Sequence, residues 1–181
     1  KPTAPVLVSP EDSVIISSST VSLDWEESTD LDSDSLQYNV YVINETDHET
    51  SGLTSTEFIA ENLEDATWYT WSVEAWDGAE SNTSEERQFL IDLTTPLISF
   101  TDATLEDEDY VNDSSVYIEV EILESNFDNL TFYLYNSTNE LINETTYYDD
   151  TRSITIIVED LDEVYHYNAT VYDVVGHKNS T

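Results

Sequence analysis

From Leu63 to Gly78 the chain reads LEDATWYTWSVEAWDG, and its apolar positions recur with a period of two. Tyr69, Trp71, Val73 and Ala75 fall on one face; Thr70, Ser72, Glu74 and Trp76 fall on the other. Successive side chains of a β-strand point to opposite faces, so this alternation predicts a half-buried strand. The β-formers Trp, Tyr, Thr and Val dominate it. The same pattern marks Val21–Trp25, with Val21, Leu23 and Trp25 inward, and Leu36–Ile43, with Leu36, Tyr38, Val40 and Val42 on one face. It marks Val116–Ile122 as well, with Val116, Ile118, Val120 and Ile122 inward. Shorter runs predict strands at Val6–Val8, Val14–Ile16, Glu57–Leu63, Arg87–Asp92, Leu97–Phe100, Leu130–Tyr135, Ser153–Val158 and Leu161–Asp173. The expected fold class is all-β.

The order of these runs repeats. Setting Asp77 on Asp173, an offset of 96 residues, places Trp76 on Tyr172, Val73 on Ala169 and Tyr69 on Tyr165. A chain of 181 residues holds two sandwich domains, each of about 90 residues. Leu93–Pro96 reads as the joint, because proline restricts the residue before it to extended conformations. The expected domains are therefore 1–93 and 94–181, two tandem antiparallel β-sandwiches.

Leu63 followed by Tyr69, the Asp77-Gly78 turn and a Trp25 closing its strand resemble a fibronectin type III module. The resemblance implies a tyrosine corner, in which the Tyr69 ring caps the core and its hydroxyl bonds back to the chain before the strand. The second half is similar to bacterial and archaeal Ig-like surface repeats, whose F strand runs into a D-x-x-G-x-x-S turn. Here that turn is Asp173, Gly176 and Asn179-Ser180. The first half has a last strand at Arg87–Asp92, whereas the second reaches Thr181 inside the corresponding loop. The expectation is an Ig-like sandwich lacking an in-chain strand G, with an open edge. Either the sequence is a window on a longer array, or the segment around Val6-Leu7-Val8 of a neighbouring copy fills the vacant position by donor-strand complementation. The chain has no methionine, no signal peptide and no long apolar run, so it reads as a mature or excised portion, with any targeting or anchoring sequence outside it.

Charge narrows the classes. Forty acidic residues against four basic ones leave a formal charge of −36. Such a surface repels nucleic acid and anionic membranes. The self-repulsion calls for screening by high salt or for bound divalent cations. The absence of cysteine removes the disulfide staple of many extracellular sandwiches and points to a prokaryotic source.

Two motifs carry chemistry. The N-x-[ST] sequon occurs at Asn44, Asn82, Asn112, Asn129, Asn136, Asn143, Asn168 and Asn179, eight of twelve asparagines. Random placement would give about three, so covalent N-glycans are expected. Asp30-x-Asp32-x-Asp34 resembles the DxDxD loops of cadherin-like surface repeats, and alternating carboxylates on a bent loop can converge on Ca²⁺. Glu106–Asp109 reads as a solvated turn. Trp68, Trp76, Tyr133, Tyr135 and Tyr172 fall outward, where aromatics stack on sugars or cover a neighbouring strand. The three histidines lack zinc spacing, and no nucleophilic triad or phosphate loop is present; no enzyme activity is expected.

Together these features point to a structural building block of an archaeal cell-surface glycoprotein: a surface layer, stalk, adhesin or filament. The expected partners are other copies of the chain or neighbouring surface domains. The rival reading is an accessory carbohydrate-binding module of a secreted hydrolase. The charge makes one direct prediction. Raising NaCl from about 0.1 M to about 1 M shortens the Debye length from about 10 Å to about 3 Å. The thermal midpoint followed by tryptophan fluorescence should rise over that range, and a level or falling midpoint removes the salt-adapted reading.

Overall fold

The computed structural model describes residues 1–31, 35–44, 47–105, 114–159 and 164–181. Every regular element among them is a strand, as the alternation predicts. They form two units, Lys1–Leu93 and Thr94–Thr181.

The first unit contains β1 (Val6–Ser9), β2 (Val14–Ile16), β3 (Val21–Glu26), β4 (Gln37–Ile43), β5 (Asp47–Leu53), β6 (Glu57–Ala60), β7 (Thr67–Trp76), β8 (Ser81–Thr83) and β9 (Arg87–Ile91). One sheet runs β1-β3-β6 and the other β2-β9-β7-β4-β5, with β8 also paired to β7. Strand β7 lies between β4 on one side and β8 and β9 on the other. Its inward residues Tyr69, Trp71, Val73 and Ala75 are consequently inaccessible to solvent. They meet Val21, Leu23 and Trp25 of the facing sheet in one core. Tyr69 stacks on Phe89 at 5.6 Å, and Trp25 meets Tyr38 edge-on at 5.5 Å. The Tyr69 hydroxyl accepts the N–H of Glu64 at 2.8 Å, which is the expected tyrosine corner.

The N-terminal segment crosses from one sheet to the other, β1 pairing with β3 and β2 running parallel to β9. Arg87 fastens this crossing. Its guanidinium donates to the carbonyls of Leu7 (2.8 Å), Val8 (3.1 Å) and Pro10 (2.9 Å). A bidentate fork suits this task, because it satisfies adjacent carbonyls that a sheet switch takes out of the ladder.

The second unit contains β10 (Leu97–Phe100), β11 (Ser115–Leu123), β12 (Phe127–Tyr135), β13 (Leu141–Tyr147), β14 (Ser153–Ile157), β15 (His166–Asp173) and β16 (Lys178–Ser180). Its sheets run β10-β11-β14 and β13-β12-β15-β16. Val116, Ile118 and Val120 meet Leu130, Phe132, Leu134, Ala169 and Val171 in its core. The order repeats that of the first unit: β13 lies on β12 as β5 lies on β4. In an immunoglobulin constant-type order the extra strand joins the other sheet. The second unit repeats the three-stranded sheet and the β5-β4-β7-β8 pairing of the first, without counterparts of β2 and β9 among the described residues.

Among the described residues of the second unit no strand stands where β9 covers β7, as expected; what the sequence reading placed inside a loop forms instead a short strand, β16. Strand β16 pairs with β15 through Thr170–Ser180, Val171–Asn179 and Tyr172–Lys178, and the N–H of Thr181 donates to Ala169 at 3.0 Å. The preceding turn is tighter than its sequence suggests. The Asp173 Oδ1 accepts the N–H groups of Val175 (3.0 Å) and His177 (2.9 Å), and Gly176 takes φ +92°, a left-handed conformation open to glycine. β16 corresponds to β8, which pairs with β7 through Glu74–Thr83, Ala75–Asn82 and Trp76–Ser81. The Val6–Val8 segment, expected as a donor, is engaged in its own unit: Leu7 pairs with Trp25 and is buried.

Two substitutions test this account. Tyr69→Phe removes the corner bond and should cost about 1 kcal/mol, read by tryptophan fluorescence, since all four tryptophans lie in the first unit. Phe132→Ala empties the centre of the second core and should cost about 3–5 kcal/mol, read by far-UV circular dichroism. A Tyr69→Phe midpoint equal to the parent's would remove the corner from the energetics.

Candidate functional site

Asp30 lies on the connection between β3 and β4, and Asp77 and Glu80 lie on the turn between β7 and β8. Their carboxylates converge on the amino nitrogen of Lys1. Asp30 Oδ2 stands at 3.0 Å from it, Asp77 Oδ2 at 3.5 Å and Glu80 Oε2 at 3.7 Å. The Asp30 and Asp77 side chains are only 1% and 6% exposed, whereas Glu80 is 64% exposed. The hydrogen bond from Lys1 to Asp30, with the nearby charges of Asp30 and Asp77, raises the ammonium pKa above its ordinary value. The other oxygen of Asp77 is committed to the turn: Oδ1 accepts the N–H groups of Glu80 (2.7 Å) and Ala79 (2.8 Å). Those bonds hold the Asp77 carboxyl below the usual carboxylate range.

Residues 1–3 are fixed beside these loops. The N–H of Thr3 donates to the Thr29 carbonyl (2.8 Å), and the N–H of Thr29 donates to the Thr3 hydroxyl (2.9 Å). Asp32 and Asp34, expected with Asp30 as a Ca²⁺ set, lie outside the described residues, as does Glu106–Asp109. Sequence reasoning missed Asp77 and Glu80, because nothing in local spacing joins them to Asp30. The second unit has a related turn. Asp173 uses Oδ1 for backbone N–H groups while Oδ2 meets His177 Nδ1 at 2.8 Å.

The sequons separate by chemistry. Asn136 follows β12 on an exposed turn, where its Oδ1 accepts the Thr138 hydroxyl (2.8 Å) and the N–H groups of Glu140 (2.8 Å) and Thr138 (3.1 Å). Its Nδ2, the atom a glycan would take, faces the exposed Glu140 carboxylate at 3.2 Å. Asn143 on β13 likewise accepts its own Thr145 hydroxyl at 2.9 Å. Asn44 follows β4 at the position matching Asn136. Asn129 on β12 donates to Asp128 at 2.7 Å.

Asn82 and Asn179 lie in β8 and β16 rather than in loops, and both spend Nδ2 internally. Asn82 donates to the Pro2 carbonyl (3.4 Å) and Asn179 to the Pro96 carbonyl (3.0 Å). Asn168 on β15 has its Oδ1 buried without a hydrogen-bond partner among the described residues, and the Thr170 hydroxyl of its sequon is engaged with Ser180 at 2.8 Å. Asn112 lies outside the described residues.

The outward aromatics stand where the alternation puts them. Trp68 and Trp76 are about half exposed on β7. Tyr133 and Tyr135 stack at 6.3 Å on β12, and Lys178 Nζ sits 5.9 Å over the Tyr172 ring. Burial, then the Glu144 charge, pushes the Tyr133 phenol up. A shallow open depression in the second unit is lined by Leu97, Ile98, Ser99, Glu121, Ile122 and Leu123, with one carboxylate as its titratable group. The described residues contain no helix long and apolar enough to cross a membrane.

Residues 9–89 match the family model of the fibronectin type III domain. Such domains are commonly extracellular, and typically serve as non-catalytic structural or binding modules. Among solved structures, the two-fibronectin type III-domain segment of chicken tenascin is 18% identical with a TM-score of 0.41, covering 99% of this chain and 97% of that one. The FN1–FN3 domains of chicken CNTN1 are 10% identical with a TM-score of 0.41, covering 99% of this chain and 66% of that one. The chain thus spans just under two thirds of that segment. A search of curated proteins returns no match.

The Asp77 turn carries a pH signature. A carboxyl whose folded pKa lies below its unfolded value of about 3.9 contributes stability above that value and loses it as pH falls through the folded pKa. Asp77→Asn keeps the Oδ1 acceptor but cannot titrate. Its fluorescence-detected midpoint should fall less steeply than the parent's as pH drops from about 4. Superimposable acid limbs would remove Asp77 from the linkage.

Proposed function

We propose that this chain is a non-enzymatic structural building block of an extracellular surface assembly — a surface layer, stalk, adhesin or filament. It is N-glycosylated and adapted to high salt or divalent cations. The observation that carries the reading is the surface itself: β-sandwich units carry the sequon asparagines Asn44 and Asn136 just past matching strand ends, on a chain of charge −36. Its partners are other copies or neighbouring surface domains, and the source is archaeal. Donor-strand linkage has a narrower scope than the sequence suggested, because β16 already covers one half of β15. The half toward His166, matching the part of β7 that β9 covers, can take the chain's own continuation or a strand of another copy.

The stacked Tyr133–Tyr135 pair favours a second reading, an accessory carbohydrate-binding module, since paired aromatic faces suit sugar rings. Retention of the chain on an insoluble polysaccharide, lost in Tyr133→Ala, would select it.

The primary test is the mass of the intact protein from its source before and after chemical deglycosylation. A drop on deglycosylation supports the glycoprotein reading; an unchanged mass overturns it. Glycopeptide mapping should find Asn136 occupied and Asn82 and Asn179 bare, because those two amides hold proline carbonyls. Asn136→Gln should then remove one glycan mass with little change in thermal midpoint.

A further inference from the structure

We propose that the first unit bears tension along its strands, and that the contact of residues 7–16 with residues 87–92, clasped by Arg87, is the part that resists it. This goes beyond the building-block reading by assigning a load and the element that takes it, and it holds whether or not the chain is glycosylated.

The two ends of the unit set the direction of pull. Strand β7 spans ten residues, about 30 Å of extended chain. The Lys1 nitrogen stands beside Asp77 and Glu80, just past the end of β7. Leu93 lies at its start, where the Leu93 N–H donates to Asp65 at 2.6 Å and Ile91 pairs with Thr67. The chain thus enters at one end of the sandwich and leaves at the other. Tension between these points runs along the strands.

The entry and exit strands meet that pull side by side. β2 runs parallel to β9 in the register Val14–Phe89, Ile15–Leu90 and Ile16–Ile91. Tension draws β2 toward its N-terminal end and β9 toward its C-terminal end, so one must slide along the other. All the bonds between them are then loaded together. An antiparallel pair of entry and exit strands would have both loaded ends on one side, and would peel apart one bond at a time.

The contact extends beyond the ladder. The N–H of Ser13 donates to the Gln88 carbonyl (2.7 Å), and the N–H of Asp92 to the Ile16 carbonyl (3.0 Å). The N–H of Gln88 donates to Asp12 Oδ1 at 2.8 Å. Ahead of these, Arg87 reaches from the exit strand to the carbonyls of Leu7, Val8 and Pro10. Bonds from an ionised donor are stronger than neutral ones, and three of them tie the entering segment directly to the strand that leaves. Val14 and Ile16 also pack against the core, so sliding has to draw apolar surface out of it.

The experiment holds the full chain in optical tweezers at constant force. The chain has no cysteine, so introduced pairs define the pulling points. Lys1→Cys with Thr95→Cys loads the contact in shear. Ser17→Cys with Thr95→Cys pulls at the C-terminal ends of both β2 and β9 and peels it; all three positions are exposed. The shear-loaded unit should outlive the peel-loaded one by more than about tenfold at the same force. Its opening should lengthen the tether by roughly 300 Å. Arg87→Met keeps the stem and removes the donors, and should shorten the shear lifetime about tenfold. It should leave the peel lifetime unchanged, because peeling starts at the Ile16–Ile91 end and reaches Arg87 last. Asp12→Ala, at an exposed position that leaves folding intact, should shorten the shear lifetime several-fold and spare the peel lifetime. Equal lifetimes in the two geometries overturn the proposal. So does an Arg87→Met or Asp12→Ala loss that is the same in both geometries, which would be a general loss of stability rather than of resistance to shear.

Discussion

Self-repulsion among forty carboxylates is the constraint to which the rest of this structure answers. Four basic side chains cannot neutralise them, and the described structure scarcely uses them for that purpose. Arg87 donates to three backbone carbonyls. Arg152 lies 4.3 Å over the Phe127 ring and donates to the carbonyls of Asp149 and Thr151, with the exposed Asp150 at 3.5 Å. Lys178 sits over Tyr172. The cations hold backbone and aromatic faces in place. An exposed ion pair would add little in any case, about 0–1 kcal/mol. Folding is therefore driven by two apolar cores, while the surface charge is left to ions in solution.

The carboxylates themselves take over a task that glycine usually shares. The chain has three glycines, each at positive φ: Gly52, Gly78 and Gly176. Elsewhere acidic side chains accept backbone N–H groups in turns and across the fold. Asp12 takes the N–H of Gln88, Asp65 that of Leu93, Glu124 that of Asn126 and Asp149 that of Thr151. Each bond satisfies a donor the ladders leave over and stabilises the ionised acceptor. The backbone N–H groups at Asp77, and the Thr151 hydroxyl followed by its N–H at Asp149, lower these carboxyl pKa values, so the charge is held on the folded protein rather than shed. Acidity and turn formation are thus one device, and its cost is the repulsion that solution ions must offset.

The inner strands were legible because burial on one face writes itself into the alternation. Val116, Ile118 and Val120, or Tyr69, Trp71, Val73 and Ala75, leave no other register. The tyrosine corner was implied by the resemblance that Leu63, Tyr69, the Asp77-Gly78 turn and Trp25 carry, and Tyr69 makes it. Strands β5 and β13 were missed, and β8 and β16 were read as loops. Each lies at or near a sheet margin and gains ladder bonds there, and DHETSGL, LINETTY, SNT and KNS carry little apolar signal. The carboxylate cluster around the Lys1 nitrogen was half legible. Asp30 announced itself through its DxD spacing, but its partners Asp77 and Glu80 come from the far end of β7. Only the topology, which brings the connection after β3 and the turn after β7 to one end of the sandwich, joins them.

The repeat also explains why a motif count overstates the number of equivalent sites. Asn82 and Asn179 satisfy the same N-x-[ST] pattern as Asn136, yet each occupies the strand that follows the Asp77 or Asp173 turn. From there each donates its side-chain N–H to the carbonyl of a proline at the start of its own unit, Pro2 or Pro96. Proline cannot continue a ladder, and the carbonyl beside it needs a donor from elsewhere. Recurrence in both units is what a structural requirement produces, since the same junction poses the same unsatisfied acceptor twice. Asn136 faces no such demand: its Oδ1 is committed to its own turn and its Nδ2 is turned toward an exposed carboxylate. The excess of sequons therefore has two physical origins, asparagines that hold the fold together and asparagines placed where a glycan meets solvent.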